Sequence, residues 1–168
     1  SHSAYIVATL LILLGLATLW ITSAQDWLGL QWLGAAGANG VVLGLVGLST
    51  TDQWPIDSVG AAVFATFLLL TYLVSFVYRT HVRGHSVAMF EPLQALAASA
   101  IAFTAAIVAT QTGQFGLGLM GILSTVVGGS AYALAFSPET RRLRGRNFFD
   151  YSTLGLVFVL AGSGLMLP

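Results

Sequence analysis

The chain has 168 residues, of which 57% are hydrophobic and 7% charged, with six arginines balancing six carboxylates. A soluble domain carries about 25% charged residues, so the charge present cannot cover a soluble core of this size. There is no cysteine, which excludes disulfide frameworks and thiolate chemistry.

What remains is an integral membrane protein. Hydrocarbon requires every backbone polar group to be paired internally, which leaves helices or a closed barrel. Barrel strands would alternate at period two over about ten residues. The apolar runs here are continuous and about twenty residues long, the span of a helix across roughly 30 Å of hydrocarbon. The expected fold is an all-α polytopic transmembrane helix bundle with short loops and about six spans, in one domain. The spans fall at roughly 4–22, 30–49, 57–78, 91–110, 115–136 and 149–167. A chain that opens Ser1-His2 reads as processed or as a piece of a longer protein.

The first span ends at Ser23-Ala24-Gln25-Asp26-Trp27. Trp20, Trp27, Trp32 and Trp54 all fall near span ends, where amphipathic rings anchor at the membrane interface.

The second span is dense in glycine. Gly34, Gly37, Gly40, Gly44 and Gly47 fall within about 140° of one another on a helix. Gly40 and Gly44 form a small-xxx-small pair that lets helix backbones approach closely. Glycine costs about 1 kcal/mol relative to alanine inside a helix, so its repeated use marks a packing or partner-binding face. Asn39 is the most polar group well inside this span and is expected to bond a neighbouring helix.

Asp57-Ser58 caps the third span, and the basic segment Tyr78-Arg79-Thr80-His81-Val82-Arg83-Gly84-His85 follows it. His81 and His85 have the i,i+4 spacing of a two-histidine metal site, but Gly84 interrupts the helix and the flanking arginines repel a cation. No metal and no cofactor are expected. Glu91-Pro92 opens the fourth span, proline and a carboxylate both suiting a first turn. Gln111-Thr112-Gly113-Gln114 makes a tight hairpin to the fifth, where Gly118 and Gly121 continue the small-residue pattern. Gly155 and Gly162 stand one heptad apart in the sixth.

Between the last two spans lie four arginines in six residues, Arg141, Arg142, Arg144 and Arg146. With Arg79 and Arg83 they fall on one side of an alternating six-span chain. The positive-inside rule makes that side cytoplasmic, which suits a bacterial inner membrane. Such clusters attract anionic headgroups at about 1 kcal/mol per charge, so these six arginines are expected to touch membrane lipids. The patch is too short and too poor in aromatics for nucleic acid.

No carboxylate falls near a midplane, where ion-coupled transporters place one. Ser130 and Ser163 sit in glycine-flanked turns with no buried base to activate them. The expected role is therefore a non-catalytic structural or accessory subunit, or the membrane module of a larger assembly. Its partners would be other membrane subunits or further copies of itself. The alternative is a small-solute or lipid transporter whose neutral path is lined by Asn39, Thr71, Ser75, Gln94, Thr104, Ser124 and Thr125.

Overall fold

The computed structural model describes residues 28–51, 57–82, 90–111, 117–137 and 146–167, together with positions 6, 9, 10, 13, 15 and 17. Of these, 28–31, 82, 117, 119 and 146 are described by backbone only. The chain is helical, with no strand among the described residues. The helices are α1 (Leu28–Ser49), α2 (Ser58–Val77), α3 (Phe90–Gln111), α4 (Leu117–Ala135) and α5 (Arg146–Met166), with a π turn at Tyr78–Val82 prolonging α2.

Four stretches, Trp32–Ser49, Ser58–His81, Phe90–Gln111 and Asn147–Met166, are long and apolar enough to cross a membrane; Met120–Ala135 is apolar but shorter. Of the six expected spans, the described residues thus supply four of full length. Most of the first lies outside them, although Ile6, Thr9, Leu10, Leu13, Gly15 and Ala17 are helical.

Local chemistry sets the helix ends. Asp57 caps α2, its Oδ1 accepting from the Val59 N–H at 3.3 Å while its carbonyl accepts the first helical bond from Ala61. At the end of α1, Ser49, Thr50 and Thr51 each turn a hydroxyl back on a carbonyl three residues earlier, at 2.7–2.8 Å. These bonds satisfy last-turn acceptors that a helix leaves open.

The chain divides into two compact units, residues 1–70 with 96–112, and residues 71–95 with 113–168. In the first unit the core mixes Val42, Leu45, Val46, Leu68 and Leu69 with many alanines, while other large apolar side chains face outward. Ala98, Ala102, Ala105 and Ala109 form a buried row on α3, whereas Leu33, Leu43, Val63, Phe67 and Ile107 are exposed. Lipid tails are as apolar as leucine, so close helix approach outweighs burial of bulk. Gly15 belongs to this pattern. A Cβ there would stand 3.2 Å from the Ala38 Cβ and 3.5 Å from the Gly34 carbonyl oxygen.

The second unit is organised by α4 against α5. A Cβ on Gly121 would come within 2.8 Å of the Gly162 oxygen, and one on Gly128 within 2.7 Å of the Gly155 oxygen. One partner rises along the chain as the other falls, so the two helices run antiparallel, with glycines one heptad apart on each. Between these crossings Ser124 donates to the Phe158 carbonyl at 2.7 Å.

Candidate functional site

The polar groups of the second unit gather at one end of its helices. Helix α5 presents a stripe in which Asn147, Tyr151, Leu154 and Phe158 are all buried. Their 4-3-4 spacing puts them on one face. Phe76 meets that stripe, its ring centroid 4.7 Å from that of Tyr151.

Beyond Phe76 the helix widens into its π turn. Such turns shift backbone bonds from i+4 to i+5 and occur often at functional sites. Here the Thr80 hydroxyl serves the loosened backbone, lying 2.8 Å from the Phe76 carbonyl oxygen and 3.2 Å from that of Val77. Thr80 is 2% exposed and is hydrogen-bonded to the Tyr151 hydroxyl. The neighbouring His81 stands edge-on to the Tyr151 ring, with Nδ1 3.3 Å from the hydroxyls of both Tyr151 and Thr80. Its Nε2 lies 3.1 Å from Ser137 Oγ, just past the end of α4. Four side chains from the π turn, the end of α4 and the face of α5 are thereby joined in series.

Alongside, Arg79 Nη1 and Glu91 Oε1 pair at 3.1 Å, with the side chains 22% and 9% exposed. Glu91 is in the first turn of α3, so its charge also meets the positive end of that helix. One turn deeper Gln94 is buried, as is Tyr72 on α2.

The π turn corrects one expectation. The third span was expected to end near residue 78, leaving every histidine in a loop, but the helical path continues through Val82 and carries His81 onto α5. Arg79, expected at the headgroups, is engaged with Glu91. Arg83, Arg141, Arg142, Arg144 and His85 lie outside the described residues, and Arg146 opens α5 with only its backbone described. Among the described residues no group of three or more histidines and carboxylates could hold a metal ion.

The glycines separate into two kinds. Gly121, Gly128, Gly155 and Gly162 have no room for a Cβ; Gly37, Gly40, Gly44, Gly47, Gly118, Gly129 and Gly164 meet nothing within 4 Å among the described residues. Gly34 is half-buried, and Asn39 beside the open positions has its Oδ1 shielded without a hydrogen-bond partner among the described residues. Of the neutral positions named for a solute path, Thr104 and Thr125 bond carbonyls of their own helices and Ser124 bonds α5. Ser75 is exposed and Thr71 half-buried.

Sequence reasoning missed Thr80, Ser137, Asn147 and Tyr151. The α5 stripe was readable from its spacing, but the meeting of His81 with Ser137 depends on contacts 56 residues apart. No family model matches the chain, and neither does any curated protein or solved structure.

Proposed function

We propose that this chain is the membrane module of a larger assembly and that α1 is its docking helix. The observation behind this reading is the row Gly37, Gly40, Gly44 and Gly47, whose 3-4-3 spacing forms one outward face with no atom within 4 Å of any added Cβ. Four glycines cost the helix several times about 1 kcal/mol relative to alanine. At Gly121, Gly128, Gly155 and Gly162 that cost is offset by direct backbone approach. On α1 we place the offset outside the chain, in a transmembrane helix of a partner subunit. Asn39, at the edge of the row, offers that helix an acceptor. In this reading the end that carries the arginines is cytoplasmic in a bacterial inner membrane, where such a cluster attracts anionic headgroups.

The absence of cysteine makes the test direct. Gly40→Cys, placed alone in the chain and oxidised or bridged with a bifunctional maleimide in native membranes, is expected to capture a defined partner band. Leu156→Cys, on the exposed face of α5, captures none. A heterologous band identifies the partner, and a band of twice the chain mass makes it a second copy. No adduct at Gly40→Cys beyond the Leu156→Cys background overturns the reading.

A further inference from the structure

The hydrogen bonds around His81 have a direction. Thr80 has one hydroxyl proton, and the carbonyls of Phe76 and Val77 beside it can only accept. We assign that proton to the nearer carbonyl, that of Phe76 at 2.8 Å, so that the Thr80 oxygen accepts from Tyr151. Tyr151 spends its proton there, which leaves its own oxygen to accept from His81 Nδ1 at 3.3 Å. A neutral imidazole with its proton on Nδ1 has a lone pair on Nε2. At 3.1 Å from that lone pair stands Ser137 Oγ. With this assignment the order of donation runs from Ser137 to His81, to Tyr151, to Thr80, and stops on the Phe76 carbonyl.

A serine donating to an imidazole nitrogen at about 2.6–3.2 Å, with the other ring nitrogen fixed by a third group, is the arrangement of an activated nucleophile. We propose that Ser137 is a nucleophile, His81 its general base and Tyr151 the residue that orients His81, acting on acyl ester bonds of phospholipids. The expectation that no serine could be activated concerned Ser130 and Ser163; Ser137 differs because the π turn brings a base to it.

The surroundings identify the substrate class. Ser137 is at the membrane-boundary end of α4, next to an aromatic ledge. The rings of Tyr132 and Phe136 are 5.3 Å apart, those of Phe136 and Phe148 are 5.3 Å apart and edge-on, and Phe149 is 67% exposed. Tyrosine is enriched at the membrane–water interface, and Tyr132 is exposed, so we assign Ser137 to the depth of the glycerol ester bonds.

In the reaction Ser137 Oγ bonds to the ester carbonyl carbon as its proton passes to His81 Nε2. The bond from that carbon to the glycerol oxygen then breaks, and the oxygen takes the proton from Nε2. The products are a lysolipid and acyl-Ser137. Water repeats the sequence, with His81 again taking and returning a proton, and releases the fatty acid.

The test uses the full chain in nanodiscs of phosphatidylglycerol and phosphatidylethanolamine. A fluorophosphonate probe should label the wild-type protein, with the adduct mapped to Ser137 by peptide mass spectrometry, a readout that needs no variant. Ser137→Ala should lose the label, and His81→Ala should slow it by at least about 100-fold, the lower end of general-base contributions. Tyr151→Phe, which keeps both reacting residues, should label at an intermediate rate. Fatty acid should be released from the nanodisc lipid by the wild type and not by Ser137→Ala. Wild-type labelling no faster than that of Ser137→Ala overturns the nucleophile and leaves the bonds as a structural tie. A labelled Ser137 without fatty-acid release overturns the phospholipid substrate. Neither outcome bears on the docking of α1.

Discussion

Gly128 and Gly155 face each other so closely that a Cβ on either would stand 2.7–2.8 Å from the other's carbonyl oxygen. Gly121 and Gly162 repeat the relationship one heptad away, so α4 and α5 are held by backbone contact at two levels. Gly44 on α1 has the same residue type on the same kind of helix with nothing around it.

That contrast predicts opposite signs for one substitution. Gly128→Ala must push the helices apart, and overpacking of this kind costs about 1–3 kcal/mol, more than the helix propensity gained. Gly44→Ala has only the propensity to gain and should stabilise the isolated chain by up to about 1 kcal/mol. Unfolding in mixed detergent micelles, followed by circular dichroism, measures both. Equal shifts for the two variants would contradict the assigned packing.

The bond between Tyr151 and Thr80 predicts a coupling. Tyr151→Phe removes the hydroxyl that bonds Thr80 and stands 3.3 Å from His81 Nδ1, and should cost about 0.5–1.5 kcal/mol, the net range for a hydrogen bond. Thr80→Val removes the hydroxyl that serves the Phe76 carbonyl and should cost a similar amount. The double variant should fall short of the sum by about 1 kcal/mol, within the range measured for polar pairs between membrane helices. Additive losses would mean that the two hydroxyls do not interact.

How far the sequence could be read depends on the range of the signal. Membrane character, helix type and the cap at Asp57 are local, carried by composition, run length and single residues, and the structure has them. The open and closed glycines look alike in sequence, since Gly44 and Gly128 have similar neighbours and only a facing backbone tells them apart. The site was harder still. Periodicity marks Asn147, Tyr151, Leu154 and Phe158 as one stripe, but the π turn that brings Thr80 and His81 to it changes the helical repeat on which such counting relies.

The ion pair of Arg79 with Glu91 predicts an asymmetry. Glu91 is the less exposed partner, so Arg79→Gln removes the guanidinium from a largely buried carboxylate. A loss of about 2–4 kcal/mol is expected, extending just below the range for breaking a buried pair. Glu91→Gln should cost less, because a freed arginine can extend its head toward water along its apolar stem. The double variant should recover part of the Arg79→Gln loss. If Glu91→Gln proved the more damaging single change, the arginine would be the buried member.

Gly40→Leu tests whether the open face of α1 serves the fold or the assembly. With nothing among the described residues within 4 Å of an added Cβ, the substitution meets no contact at its first carbon, and replacing glycine recovers up to about 1 kcal/mol of helix propensity. Thermal stability of the detergent-extracted chain should therefore be unchanged or raised. A partner helix seated on the same face would meet four extra carbons where it needs a flat surface, and the complex should be lost from native-membrane extracts. Measuring particle mass and melting temperature on the same preparation separates the cases. A lower melting temperature with the particle mass intact would place the role of Gly40 within the fold and leave α1 without its docking function.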